Sequence, residues 1–252
     1  MPDAPMTSLH ISRHGPEAFE CLARMIAEAK AEDALAPVTV VSPSPYAGLS
    51  LRRRLAAEAG IVNVRFMVLA RLAEYLGSPR LATEGRAPLS PLIEMAAIRE
   101  VGSAMIGTGP LGTIAEHPRL HSSLSRSFRD LDQLTDDQLK GVRMADPLRA
   151  QLVDWRQRFL ELTIGYYSRE ELSWAASKGA QDGSAVAALR DLGFIIFHLA
   201  HDLSPAETSL VESLAKAGHC AAIIGVVGEE SADQAARKLA SKIGSALGPA
   251  KQ

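Results

Sequence analysis

The sequence predicts an α/β protein, a parallel sheet of about five strands flanked by helices and interrupted by an all-helical insert. Three observations carry this prediction. Five short β-branched runs are apolar on both faces, which suits strands covered by helices on each side. Amphipathic helical patterns alternate with them in the order of a doubly wound fold. A long stretch from about 87 to 182 has helical periodicity and no convincing strand.

The first strand, LHIS at 9–12, turns through Gly15-Pro16 into the helical EAFECLARMIAEAKAE at 17–32. The second, VTVVS at 38–42, leads into YAGLSLRRRLAAEAG at 46–60, and the third, VNVRFMV at 62–68, into LARLAEYLG at 69–77. The insert then reads as helices at 90–105, 121–134, 147–167 and 169–179, separated by Gly, Pro and Asp. After it come FIIFHL at 194–199 and a helix at 204–218, opened by Ser204, Pro205 and Glu207 and stopped by Gly218. CAAIIGVV at 220–227 and a helix at 232–247 complete the pattern. The organisation expected is an α/β domain from 1–86 and 183–252, with 87–182 inserted as a helical subdomain.

With 252 residues and 47% hydrophobic content, the chain can bury a sizeable core. A formal net charge of −2 marks no global nucleic-acid binder, although a local basic face remains compatible with it. Between Leu49 and Arg86 stand seven arginines (52, 53, 54, 65, 71, 80 and 86) against three glutamates. Such a run reads either as a solvated helix face or as a contact for single-stranded DNA. The two cysteines, Cys21 and Cys220, sit in apolar segments far apart and are expected as reduced, buried thiols. Neither a signal peptide nor a membrane span is visible, so a cytoplasmic protein with no membrane partner is expected.

The stretch HISRHGPEAFECL stands where a phosphate-binding loop would follow a first strand. A G-x-x-x-x-G-K-[ST] loop cradles phosphates with backbone N–H groups, a lysine and a hydroxyl. Counting from Gly15, the sixth, seventh and eighth places hold Glu20, Cys21 and Leu22, which supply none of that chemistry. Glu20 is expected to place a carboxylate near where phosphate would sit. At the fourth strand, FIIFHLAHDLSPAETSLVESL has His198 and Leu199 where an Asp-Glu pair would coordinate magnesium and position water, and His201 where a Gln would stand. Asp202 alone remains.

By the order of its elements, the chain resembles the first motor domain of superfamily I helicases. Within that group it is most similar to the N-terminal part of helicase-like subunits of bacterial helicase-nuclease complexes, of the AddB, AdnA and RecC type. VVSPSPYAGLSLRRRLAAEAG resembles the family's motif of strand, Ser/Thr-containing loop and Arg-bearing helix that contacts DNA. NVRFMVLARLAEYLG resembles its motif of strand, aromatic, Ser or Arg, Leu-Ala. GVVGEESADQAA offers Gly228, Glu229 and Gln234 as a looser match to the next.

The resemblance implies a P-loop-type sheet with degenerate nucleotide motifs, no bound cofactor and no ATPase activity. It implies a DNA-binding and partner-docking scaffold in DNA double-strand-break repair and recombination. Its DNA contacts would include Ser42, Ser44, Arg52, Arg53, Arg54 and Arg71. Its partners would be single-stranded or forked DNA and a motor or nuclease subunit.

Two other readings stay open. One is an unrelated α/β enzyme or small-molecule binder using the crevice at the strand C-termini, lined by His14, Ser42, Ser44, His198, His201 and Asp202. The other is a protein-interaction module without DNA contact. His198 and His201 have no further ligands at zinc spacing, so no metal site is expected. Trp155, Phe159, Tyr166 and Tyr167, with Leu152, Leu160 and Leu162, read as a helix core face rather than a base-stacking platform.

Overall fold

In the computed structural model, which describes residues 7–248 and 250, the first three strand-helix pairs fall close to where the pattern places them. They are β1 (Leu9–Arg13), α1 (Pro16–Ala29), β2 (Val38–Val41), α2 (Pro45–Glu58), β3 (Val64–Met67) and α3 (Leu69–Thr83). Next come β4 (Ala87–Pro88), α4 (Pro91–Ala104), α5 (Gly109–Gly112), α6 (Pro118–Asp132), α7 (Asp136–Ala145), α8 (Pro147–Leu162) and β5 (Tyr166–Tyr167). The chain then continues through α9 (Arg169–Asp182), α10 (Val186–Leu192), β6 (Phe194–His198), α11 (Pro205–Lys216), β7 (Cys220–Val226) and α12 (Gln234–Leu247).

The main sheet has the order β1-β7-β6-β2-β3, and every neighbouring pair is parallel. Side chains alternate across it. Ile196 and Ile223 point to the face covered by α1 and α2, packing with Leu22, Ile26 and Leu55. Ile195, Phe197 and Ile224 point to the other, packing with Leu76, Leu192, Leu214 and Ile243 of α3, α10, α11 and α12. Each such large apolar side chain, when fully buried, contributes about 1.5–3 kcal/mol. Connections running from β1 toward β3 use the first face and those returning toward β1 use the second. That change of face with direction is what right-handed crossovers require. Both cysteine thiols are free and buried, and burial pushes both upward in pKa.

The chain divides into two compact units, one from 1–80 with 171–252 and one from 81–170. The sequence boundaries lie at 86/87 and 182/183. Much of α9 belongs to the sheet-bearing unit because Ala176 and Ala180 are buried in its core. α3 also runs past Gly77 and Pro79 to Thr83, longer than the punctuation suggests. Gly77 marks a helix contact rather than a stop. A Cβ there would stand 2.5 Å from the Leu172 carbonyl oxygen of α9.

The second unit has its own core of Ile98, Val101, Leu124, Phe128, Trp155 and Phe159. The Phe128 and Phe159 ring centroids lie 5.2 Å apart, and the largely shielded Arg156–Asp132 pair at 2.7 Å ties α8 to α6. Trp155 and Phe159 are therefore core residues, as their spacing predicts. The insert is not wholly helical, however, since β4 and β5 pair in parallel. Two-residue strands carry too little periodicity to register in a sequence. Asp136 and Asp137 open α7, where Thr135 and Gln138 form a capping box. No helix among the described residues is long and apolar enough to cross a membrane.

Candidate functional site

The C-terminal edge of the parallel sheet gathers the loops that follow β1, β2, β6 and β7, the position where such sheets carry their ligands. The junction after β1 is the tightest of them. Only His14 and Gly15 separate the strand from α1. Gly15 is the N-cap at φ 95°, a backbone that side-chain-bearing residues rarely adopt. The turn is closed from inside by Glu17, whose Oε1 accepts the Arg13 N–H and the Ser12 hydroxyl, both at 3.3 Å. This corrects the expectation for Glu20. Because the helix begins at Pro16, Glu20 lies on the exposed side of the second turn, and it is Glu17 in the first turn that reaches back. Cys21 and Leu22 face inward and are buried in the core beneath α1.

At the end of β6, His198 is only 5% exposed. Neither ring nitrogen reaches a hydrogen-bond partner among the described residues, the Ala18 backbone approaching without meeting bonding geometry. Burial pushes the imidazole down to about 4, with the nearby His14 adding to the shift and Ala18 opposing it. The following loop holds two non-glycine residues at positive φ, Leu199 at 53° and Asp202 at 48°. His201 and Asp202 are exposed, and the His201 Nδ1 lies 3.2 Å from the Leu199 carbonyl oxygen. No cluster of three His, Cys, Asp or Glu among the described residues could hold a metal ion.

Across the sheet from this loop, the His14 ring and the Leu199 side chain both lie over Gly225 of β7, where any Cβ would collide with them. The space directly over Gly225 is thus taken by these two side chains. After β7, the buried carboxylate of Asp233 accepts the Val227 N–H at 2.8 Å and the Gly228 N–H at 2.9 Å. These bonds hold Asp233 below the ordinary carboxylate range and fold the loop back onto the start of α12.

The junction after β2 is built differently. Ser42 is buried, its hydroxyl donating to the Ser44 carbonyl at 3.0 Å, and the Ser44 hydroxyl caps α2 by accepting the Ala47 N–H at 3.2 Å. Both predicted serine contacts are thereby engaged within the fold. Most of the arginine excess is engaged too. Arg54 bonds Glu58 at 2.7 Å and lies 3.7 Å over the Phe19 ring of α1. Arg65 forks onto Asp191 at 2.6 and 2.9 Å, Arg71 pairs with Glu74 at 2.6 Å and Arg80 with Asp182 at 2.5 Å. Arg86 donates to the Tyr166 carbonyl. Arg52 and Arg53 remain exposed, without an ion pair among the described residues.

Three residues of this edge escaped the sequence reading. Glu17 was legible in principle, as an acid in a first helical turn. Asp233 carried no motif signal. Tyr46, 85% exposed on the first turn of α2, is concealed in a sequence because only the structure shows that nothing covers it.

No protein-family model matches the chain, and no curated protein matches it in sequence.

Proposed function

We propose that this chain is a helicase-like module that does not turn over ATP and serves as a DNA-binding and partner-docking scaffold in double-strand-break repair by a helicase-nuclease. The observation that carries the reading is the pair Arg52 and Arg53. Where every other arginine between Leu49 and Arg86 is held by a carboxylate or a carbonyl, these two have no ion pair among the described residues. Clustered, unneutralised cations on one exposed helix suit the phosphates of a nucleic-acid strand. The silent-motor part draws support from the junction after β1. A two-residue turn occupied by the Glu17 carboxylate offers phosphate neither room nor a complementary charge. The repair setting rests on the resemblance of element order and motifs. The rival small-molecule reading loses the part of its crevice over Gly225, which the His14 and Leu199 side chains occupy.

Fluorescence anisotropy with a labelled oligo-dT tests the reading. Two phosphate contacts predict a log-log salt slope of about −1.4, or roughly sevenfold weaker binding at 200 mM than at 50 mM salt. Salt-independent binding, or none, counts against the DNA-binding role. Micromolar binding of ATP·Mg²⁺ in isothermal titration calorimetry counts against the silent motor.

A further inference from the structure

We propose that Tyr46 is a base-stacking residue, so that α2 engages unpaired nucleotides through an aromatic face as well as through charge. This rests on the DNA-binding reading of α2 and adds to it a residue and a preference for unpaired bases. Tyr46 is the most exposed large apolar side chain of the sheet-bearing unit, and its hydroxyl has no partner among the described residues. Tyr75, by contrast, donates its hydroxyl to Asp191, and Tyr166 and Tyr167 are half-buried and buried. Neither packing nor a hydrogen bond therefore accounts for a tyrosine at this position.

Its neighbours on the helix surface point to one occupant. Leu49, 45% exposed, follows at i+3, and the unpaired Arg53 follows at i+7, about 10 Å further along the same face. The single carboxylate of α2, Glu58, is taken by Arg54, so this face presents no negative charge. In the first turn, Ser44 takes the Ala47 N–H through its hydroxyl and the Gly48 N–H through its carbonyl, while Pro45 has none. The Tyr46 N–H has no acceptor among the described residues and lies at the positive end of the helix. A flat aromatic, an open N–H and a free guanidinium on one face complement the base and phosphates of a single strand. A protein partner would use the leucine and tyrosine, but it would gain nothing from the two unpaired cations unless it were acidic.

The test compares binding of the full chain to oligo-dT and to an abasic strand of equal length, by anisotropy at several salt concentrations. Wild type is expected to prefer oligo-dT by the same factor that Tyr46→Ala then loses. Tyr46→Ala should weaken oligo-dT binding by roughly five- to 150-fold, the range for one stacked base, and leave abasic binding and the salt slope unchanged. Tyr46→Phe should restore the preference, and Arg53→Gln should weaken both strands alike while flattening the slope. Equal loss on both strands in Tyr46→Ala, no loss on either, or equally tight binding of duplex would overturn the stacking role. Salt-dependent binding that persists in those cases leaves the DNA-binding reading standing. Absence of binding to any oligonucleotide, with Arg53→Gln indistinguishable from wild type, removes both. Because Tyr46 is solvent-exposed, its variants should melt within a degree or two of wild type, which separates lost binding from lost fold.

Discussion

The junctions after β1 and after β2 begin alike and end opposite. Each is a short strand-to-helix turn with proline in the first position of the helix, at the same edge of one parallel sheet. After β1 the protein's own groups occupy the turn, with Glu17 on the Arg13 N–H and His14 with Leu199 over Gly225. After β2 the serines satisfy the turn internally and leave Tyr46, Arg52 and Arg53 facing outward. A carboxylate in the first helical turn neutralises the helix N-terminus, whereas a hydroxyl cap satisfies the N–H groups without adding charge. The lesson is that one turn chemistry closes a helix N-terminus to anions and the other keeps it available.

The comparison breaks most visibly by charge reversal. Arg52→Glu with Arg53→Glu is expected to weaken single-strand binding by roughly 100-fold and to flatten the salt slope by about 1.4, measured by anisotropy across a salt series. Arg54→Gln belongs to the opposite side of the contrast. Its guanidinium lies over Phe19 and bonds Glu58, so its loss should cost about 0.5–1 kcal/mol of stability with little change in DNA affinity. If Arg54→Gln weakens binding as much as the double reversal does, the division of labour within the run is wrong.

The next effect in size concerns His198, beneath the first turn of α1. The folded protein holds the imidazole near 4, against about 6.5 when unfolded. The unfolded chain therefore takes up a proton that the folded chain refuses, and stability falls as pH drops from about 6.5 toward 4. The loss approaches about 3 kcal/mol at the acid end. His198→Phe should remove that slope, and because it also removes two unpartnered buried nitrogens it should raise stability near neutral pH by about 1 kcal/mol. Urea denaturation of both proteins at pH 7.5, 6 and 5 reads the difference, with the carboxylates common to both cancelling. Parallel curves at all three values would show that the ring is partnered in solution.

Much of the fold was legible because its elements advertise themselves. Ile195-Ile196-Phe197 is apolar on both faces, as a central parallel strand must be, and Ser204-Pro205-Ala206-Glu207 shows its capping box in order. The short β4 and β5 were not legible, nor was the extension of α3 through Pro79, because each depends on what packs beside it. The site was legible in location and less so in detail. The arginine run was visible, yet nothing in LRRRLAAE says that the third arginine lies over Phe19 while the first two face water. That partition depends on the placement of α1 against α2. Likewise Glu17 and Glu20 are equivalent as letters, and only the helix start at Pro16 decides which one reaches the turn.

Removing the cap of α2 separates its part in the fold from the proposed DNA contact on a smaller scale. Ser44→Ala deletes the acceptor of the Ala47 N–H and should cost about 1 kcal/mol in thermal or urea denaturation. Binding of oligo-dT should weaken by no more than a few-fold, since Arg52 and Arg53 lie beyond the first turn.

The smallest effect is the one that tests the closed junction. In Glu17→Gln the amide oxygen can still accept the Arg13 N–H and the Ser12 hydroxyl, so only the favourable charge at the helix N-terminus is lost, about 0.3–1 kcal/mol. If the carboxylate alone excluded nucleotide, this neutral replacement would let ATP·Mg²⁺ bind measurably by calorimetry. No binding is expected. Two residues between strand and helix cannot wrap a phosphate whatever the charge at Glu17, and the places of the lysine and hydroxyl are filled by Cys21 and Leu22, whose side chains lie in the core. Detectable binding in Glu17→Gln would mean that the turn opens, and that charge rather than geometry keeps a phosphate out of it.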